Sequence, residues 1–190
     1  MSRAESERLQ AAQLPPGNMI RVLLTQHAQI SNLFAAVREA TGDERQERFD
    51  DLRELLAVHE AGEEAVLRPI SRKDAGGQVA NARNEEEDEA AHVLAHLEKM
   101  DVADPRFIDR LTEFEHAVSH HAEREENEEF PPVLADHSEE ELQALGSRLL
   151  KAEKNAPTHP HPAAAGSPTA QRVVGPFAAL LDKARDNFQH

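Results

Sequence analysis

Cysteine is absent from all 190 residues, as are tryptophan and tyrosine, so the 7 phenylalanines are the entire aromatic content. Without thiolates the chain cannot build a cysteine zinc site, an iron–sulfur cluster or a thiol nucleophile, which leaves His and carboxylates as the candidate metal ligands. An excess of basic charge is also missing: 21 Lys and Arg face 36 Asp and Glu, for a net charge of -15. That balance repels phosphate backbones and anionic lipid, and no basic cluster with interleaved aromatics offsets it, so neither nucleic acid nor a membrane surface is expected as a partner. No apolar run approaches the roughly 20 residues of a membrane span, and no charged-then-apolar leader opens the chain. The expectation is a cytoplasmic protein. What is abundant is Ala, Leu, Glu and Arg, all strong helix formers, with Gly and Pro mostly between the periodic stretches. The composition reads all-α.

Residues 1–18 are polar and close on Pro15-Pro16-Gly17, which suggests a flexible lead-in. Four helices are expected over residues 19–135. The first, at about 19–40, carries Leu23, Leu24, Ile30, Phe34 and Val37 on one face. The second, at about 43–70, carries Phe49, Leu52, Leu55, Leu56, Val66, Leu67 and Ile70, with Pro69 in its last turn. The third, at about 78–100, has the seam Ala90, Leu94, Leu97 behind the acidic run of residues 85–89. The fourth begins near Asp104-Pro105, shows Phe107, Ile108, Leu111, Phe114 and Val118, and is expected to stop at Phe130-Pro131-Pro132. Ser138 and Glu141 have the spacing of a capping box for a fifth helix over 138–155, with Leu142, Leu145 and Leu149 inward. Residues 156–190 read as a Pro/His-containing linker followed by a short amphipathic tail helix bearing Phe177, Leu180, Leu181, Ala184 and Phe188.

Within this frame one pattern occurs twice. His59, Glu63, Glu64 and Pro69 recur at the same offsets as His121, Glu125, Glu126 and Pro131, an internal repeat H-x-x-x-E-E-x-x-x-x-P. A spacing of four sets each His and its Glu one turn apart on one helix face, as ligands of a shared ion require. Both pairs continue the apolar stripes of their helices, and His27 continues the stripe of the first. All five therefore point inward. In an up-down arrangement they also fall near one end of the bundle, at a level where stepping back from Leu97 through Leu94 and Ala90 reaches Glu87, with Glu86 as its alternative. Burying several carboxylates and imidazoles is costly unless something pairs them, and a pair of metal cations would do so.

On residues 26–30 (Gln-His-Ala-Gln-Ile), the two His-x-x-x-Glu pairs and the Phe130-Pro131 helix end, the chain resembles the hemerythrin and HHE cation-binding family across about 19–134. The resemblance implies an up-down four-helix bundle holding two non-haem iron ions, oxo- or hydroxo-bridged, with Glu63 and Glu125 bridging and histidines terminal. The expected metal site is His27, His59, Glu63, Glu87, His121 and Glu125. It departs from the family where helix 3 usually offers histidine, because this chain offers Glu; His92 and His96 have a four-residue spacing but lie off the Leu94/Leu97 seam and read as surface residues. An oxygen-rich set favours the higher oxidation state and admits Mn as well as Fe, and it fills about eight or nine of about twelve octahedral positions. The functional expectation is a di-metal protein reacting with O2 or peroxide, possible peroxide decomposition or oxidative-stress protection included, as a monomer or weak homo-oligomer. The alternative is an iron or oxygen sensor or storage-type protein without turnover. Glu64 and Glu126 point about 100° away from the ligand face and are expected to support it or to meet solvent.

Overall fold

The structure is a computed structural model that describes residues 1–156; the linker and tail helix expected after them lie outside the described residues. Those residues form helices and turns with no strand. Four antiparallel rods make the up-down bundle. The first is α2 (Met19–Glu39) and the second α3 (Gly42–Gly62), continued through a π turn (Glu63–Leu67) into α4 (Arg68–Asp74). The third is α5 (Gly77–Leu97), and the fourth is α6 (Phe107–Arg124), continued through a second π turn (Glu125–Glu129) into α7 (Phe130–Asp136). Two further helices flank the bundle: α1 (Arg3–Ala12) packs on α2, and α8 (Glu139–Lys154) packs on α2, α3 and the first π turn. No described helix is long and apolar enough to cross a membrane.

Two sequence expectations are overturned. Residues 1–18 are not a flexible lead-in, because Ser2 and Glu5 form a capping box and Ala4, Glu7 and Ala11 bury one face of α1 against the bundle. A glutamate in the middle of that face hid its apolar periodicity. Nor do Pro69 and Pro131-Pro132 end their helices. In each rod the residue before the proline bonds back five positions, Arg68 N–H to the Glu63 carbonyl and Phe130 N–H to the Glu125 carbonyl. The widened turn relieves the clash that proline would make with a carbonyl four residues back, and the rod continues for two more turns.

The extra residue in each π turn also rotates everything after it. Counting at 3.6 residues from Glu63 places Ile70 inward, yet Ile70 is half-buried while Arg68 and Ser71 are buried. In the other rod Glu129, Phe130 and Val133 take the corresponding inward places.

The apolar core is split in two. One cluster fills the end of the bundle where α2 finishes and α6 begins, built on Phe34, Phe49, Leu52, Leu94, Phe107 and Phe114, with edge-to-face ring pairs Phe34–Phe114 and Phe49–Phe107. The other sits at the opposite end, where Met19, Ile20, Leu23, Leu67, Phe130 and Val133 meet Leu142, Leu145 and Leu149 of α8. Between the two clusters lies a layer of buried polar side chains.

Helix α8 reaches this position through a close backbone approach. A Cβ built at Gly146 would stand 2.1 Å from the Gly17 carbonyl oxygen, in the turn where Gly17 adopts φ +85° ahead of the Asn18 N-cap of α2. The side-chain oxygen of Asn18 accepts from the backbone N–H of Ile20 at 2.9 Å, while its amide donates to Glu139 of α8 at 3.1 Å. Gly146→Ala should therefore push α8 off the bundle and cost on the order of 1–3 kcal/mol, as overpacking against backbone does; thermal or urea unfolding measures it, and stability equal to wild type would contradict the close approach.

Candidate metal centre

All six residues expected from the sequence meet in the polar layer. His27, His59, Glu63, Glu87, His121 and Glu125 are each at most 5% exposed. The donor atoms of His27, His59, Glu63 and Glu125 lie within 4.8 Å of one another, and so do those of Glu87, His121 and Glu125. A third group, Glu60, Glu63 and His121, meets the same limit. Bonds of about 2.1 Å put opposite ligands of one ion about 4.2 Å apart, so each group has the size of one coordination sphere. The groups overlap at Glu63, Glu125 and His121. They thus form two adjoining pockets that share the carboxylates of the two repeated motifs, one pocket on the α2/α3 side with His27 and His59, the other on the α5/α6 side with His121.

The histidines are held so that one ring nitrogen faces the layer. His59 Nδ1 lies 3.0 Å from the Gln26 side-chain oxygen, His27 Nδ1 3.0 Å from Glu126, and His121 Nδ1 3.3 Å from Glu86. With each Nδ1–H donating to an oxygen, each Nε2 lone pair is turned to the interior, the orientation a metal-ligating imidazole needs. These supports are themselves supported from outside the bundle. Arg3 of α1 donates to Glu126 at 3.0 Å, and Gln26 donates to Glu153 of α8 at 2.9 Å. On the third histidine, Arg83 and Arg124 flank Glu86 at 2.8 and 3.3 Å. The two flanking helices therefore orient ligands of the first pocket. Glu86 stands behind His121, while Glu87 points into the layer.

The interior atoms are left without hydrogen bonds. Among the described residues, His27 Nε2, His121 Nε2, both oxygens of Glu63, one of Glu125 and one of Glu60 are buried and unbonded. His121 Nε2 comes to 3.2 Å from Glu125, His59 Nε2 to 3.4 Å from Glu63 and His27 Nε2 to 3.5 Å from Glu125, approaches that do not make hydrogen bonds. Unsatisfied donors and acceptors converging in one dry layer are costly, and cations bound among them would satisfy every one. The residues present thus fit a metal centre of nitrogen and oxygen ligands, with no thiolate.

Protonation behaviour points the same way. Burial drives His59 down to about 3, helped by the neighbouring His27, so it stands as a neutral imidazole. Burial also pushes Glu63 and Glu60 well above the carboxylate range, reinforced by Glu125 for the first and Glu87 for the second. Glu125 moves well below it: burial acts upward, but His121, His27 and Arg68 outweigh it. His27 and His121 are raised, because their carboxylate neighbours outweigh desolvation. Adjacent glutamates driven in opposite directions indicate a layer with too little positive charge for all its carboxylates to ionise together.

Two members of the layer escaped the sequence reading. Glu60, 4% exposed, follows His59 directly and so sits off the His59/Glu63 face; its counterpart in the repeat is Ala122, and that break in the repeat was the available signal. Arg68, 5% exposed, is turned inward by the π turn and donates to Glu87 at 2.5 Å, to Glu125 at 3.1 Å and to both oxygens of Glu129. Nothing in α-helical phase foretells it. Conversely, His92 and His96 are exposed, as their position off the seam predicts.

A small cleft, partly open to solvent, adjoins the first pocket between α2, α3 and α6. Beside His27, His59, Glu60 and His121 its walls include Ser31, Ser119 and, from α1, Arg3 and Glu7. It is large enough for water or a diatomic ligand.

Comparison with known proteins identifies the fold and its family. The profile of the hemerythrin HHE cation binding domain matches residues 18–133. An uncharacterized hemerythrin-like protein of Schizosaccharomyces pombe is 33% identical over 137 residues, which cover 70% of this chain and 68% of that one. The crystal structure of a hemerythrin HHE cation binding domain-containing protein from Mycobacterium kansasii superimposes with a TM-score of 0.63 at 25% identity, over 71% of this chain and 86% of the other.

The support chain from α8 can be tested apart from the ligands. Gln26→Leu removes the oxygen that orients His59 and should weaken metal binding by about ten- to a hundredfold, the usual cost of losing such a partner. Competition with a chromophoric chelator reads the affinity; unchanged affinity would show that packing alone orients the imidazole.

Proposed function

The chain belongs to the hemerythrin HHE cation-binding domain family and is a metal-binding protein; from that premise we propose that its buried layer holds two non-haem iron ions, with manganese as an admissible substitute, and that the pair reacts with O2 or peroxide. The observation that carries this reading is the overlap of donor groups at Glu63 and Glu125, two buried carboxylates that each belong to both pockets. His27 and His59 would complete one coordination sphere, and His121, Glu87 and Glu60 the other. When bound, such a pair supplies electrons to an oxidant and takes them back on reduction.

The protein's own contribution is orientation and exclusion of water. Apolar clusters seal the layer from both ends of the bundle, which strengthens each electrostatic contact within it. The Phe130 ring stacks on His27 at 5.8 Å and shields that imidazole. The space beside His27 and His59 admits a small oxidant, while Ser31 and Ser119 offer hydroxyl donors along its wall. Glu60, which lines the same space, has a buried unbonded oxygen to offer an ion there.

The abundance of oxygen ligands favours redox turnover over reversible oxygen carriage. Peroxide decomposition in protection against oxidative stress is the activity this arrangement suits best, carried out in the cytoplasm by a monomer or weak homo-oligomer. The net charge of -15 keeps nucleic acid and anionic membranes away from it.

Metal analysis of protein purified without added metal, combined with its absorption spectrum, should find about two iron ions per chain and bands that bleach on anaerobic reduction and return with O2 or peroxide. His59→Ala and His121→Ala should each lower the metal content while leaving the helix content intact. Iron-loaded protein that shows neither a spectral change nor peroxide consumption would refute the redox reading.

A further inference from the structure

The two halves of the metal centre share the repeated motif but differ at several of its neighbouring positions, one of which stands directly before the proline. Arg68, before Pro69, corresponds to Phe130, before Pro131. Both side chains are turned inward by the π turn that precedes them. Phe130 places an apolar ring over His27 in the first pocket. Arg68 instead places a guanidinium inside the second, where one of its terminal nitrogens contacts Glu87 Oε1 at 2.5 Å and Glu125 Oε1 at 3.1 Å. Those two oxygens are the ones nearest His121, at 4.0 and 3.2 Å from its Nε2. Hence two of the carboxylate atoms on which a metal sphere around His121 would draw, Glu87 Oε1 and Glu125 Oε1, are already bonded to a cation, while Glu60 and Glu63, which also approach His121, keep unbonded oxygens. In the first pocket His27 Nε2, both Glu63 oxygens and Glu125 Oε2 are unbonded; on the His121 side the unbonded atoms are His121 Nε2 and one Glu60 oxygen, and the guanidinium holds the other carboxylates.

The guanidinium also has a second resting place. Its other terminal nitrogen contacts both oxygens of Glu129, at 2.8 and 2.6 Å, and Ser71 Oγ donates to Glu129 at 2.5 Å and fixes that carboxylate. Arg68 can release Glu87 and Glu125 without becoming an unpaired buried charge, a condition that single-partner burial would not meet.

We propose, on the basis of the two-ion reading above, that Arg68 is a built-in cation that makes the centre load in sequence. The first ion enters the His27, His59, Glu63, Glu125 pocket. The second enters on the His121 side only as Arg68 gives up Glu87 and Glu125 and withdraws onto Glu129. Arg68 is thus a positioning residue: it separates the affinities of the two halves and keeps the second half paired while it awaits its ion. Giving up charge-assisted hydrogen bonds and bringing a cation next to a guanidinium should make the second ion bind about ten- to a hundredfold more weakly than the first.

The test is a titration of the metal-free full-length chain with Mn2+, followed by electron paramagnetic resonance and by calorimetry. At one equivalent the signal of isolated bound Mn2+ should predominate, and the second equivalent should convert it into that of a spin-coupled pair. Arg68→Met should raise the second association constant by about ten- to a hundredfold and leave the first nearly unchanged. Arg68→Lys, which keeps a cation at the site, should retain the two steps. A coupled pair formed from the first additions to wild type would overturn the proposal while leaving the two-ion reading intact. Arg68→Met weakening both ions alike would do the same, since a merely structural arginine behaves that way. Binding of fewer than two ions by wild type would remove the two-ion reading and this inference with it. Should Arg68→Met fail to fold, the wild-type titration decides alone.

Discussion

Four glutamates, three histidines and an arginine share one dry layer across the middle of this bundle, and the cost of keeping them there shapes everything around them. An isolated buried carboxylate would sooner take up a proton than stay charged. Here the bundle commits Glu60, Glu63, Glu87 and Glu125 to the same space, with apolar clusters on either side and only a narrow cleft beside Glu60 leading to solvent. Their charge has to be met from within. Arg68 meets part of it, the histidines meet part, and the unbonded atoms on Glu63, Glu125, His27 and His121 mark what is left for a metal to satisfy.

Much of the remaining architecture serves that layer. The π turns widen the two motif-bearing rods immediately after His59 and His121, at Glu63 and Glu125, and so accommodate prolines that would otherwise break the rods. The same turns swing Arg68 and Glu129 inward and set Phe130 over His27. The flanking helices complete the second apolar cluster and also reach the histidines, α1 through Arg3 and Glu126, α8 through Glu153 and Gln26. A histidine fixed through Nδ1 has one nitrogen left to offer, and its direction is set before any ion arrives. Membership of the HHE cation-binding family accounts for the bundle and the repeated motif; the paired arginine, the extra glutamate and the flanking supports are read from this chain's own contacts.

Some of this was legible in the chain alone. The bundle, its helix order, the fifth helix with its Ser138–Glu141 cap and the inward direction of His27, His59, Glu63, Glu87, His121 and Glu125 all follow from a 3.6-residue period laid over apolar positions. Periodicity is a local property, and these residues precede or coincide with the point where each helix is still regular. Phase counted back along the Ala90, Leu94, Leu97 seam reaches Glu87 but left Glu86 as its alternative; the packing decides, burying Glu87 in the layer and setting Glu86 behind His121.

What lay beyond that was decided by tertiary contact. Helix α1 has a buried glutamate where an apolar residue would have announced it, and Glu7 is buried because α1 lies against a polar site rather than an apolar core. Arg68 could not be placed, because a single inserted residue in the turn before it shifts the phase of all that follows. Glu60 faces away from its neighbour's ligand face and enters the layer only because α6 brings His121 to meet it. The sequence by itself determined which helices form and which faces they bury, since both depend on neighbours three and four residues apart. Which charges share a pocket, and which cation stands beside them, depended on residues far apart in the chain and was settled only when the rods packed.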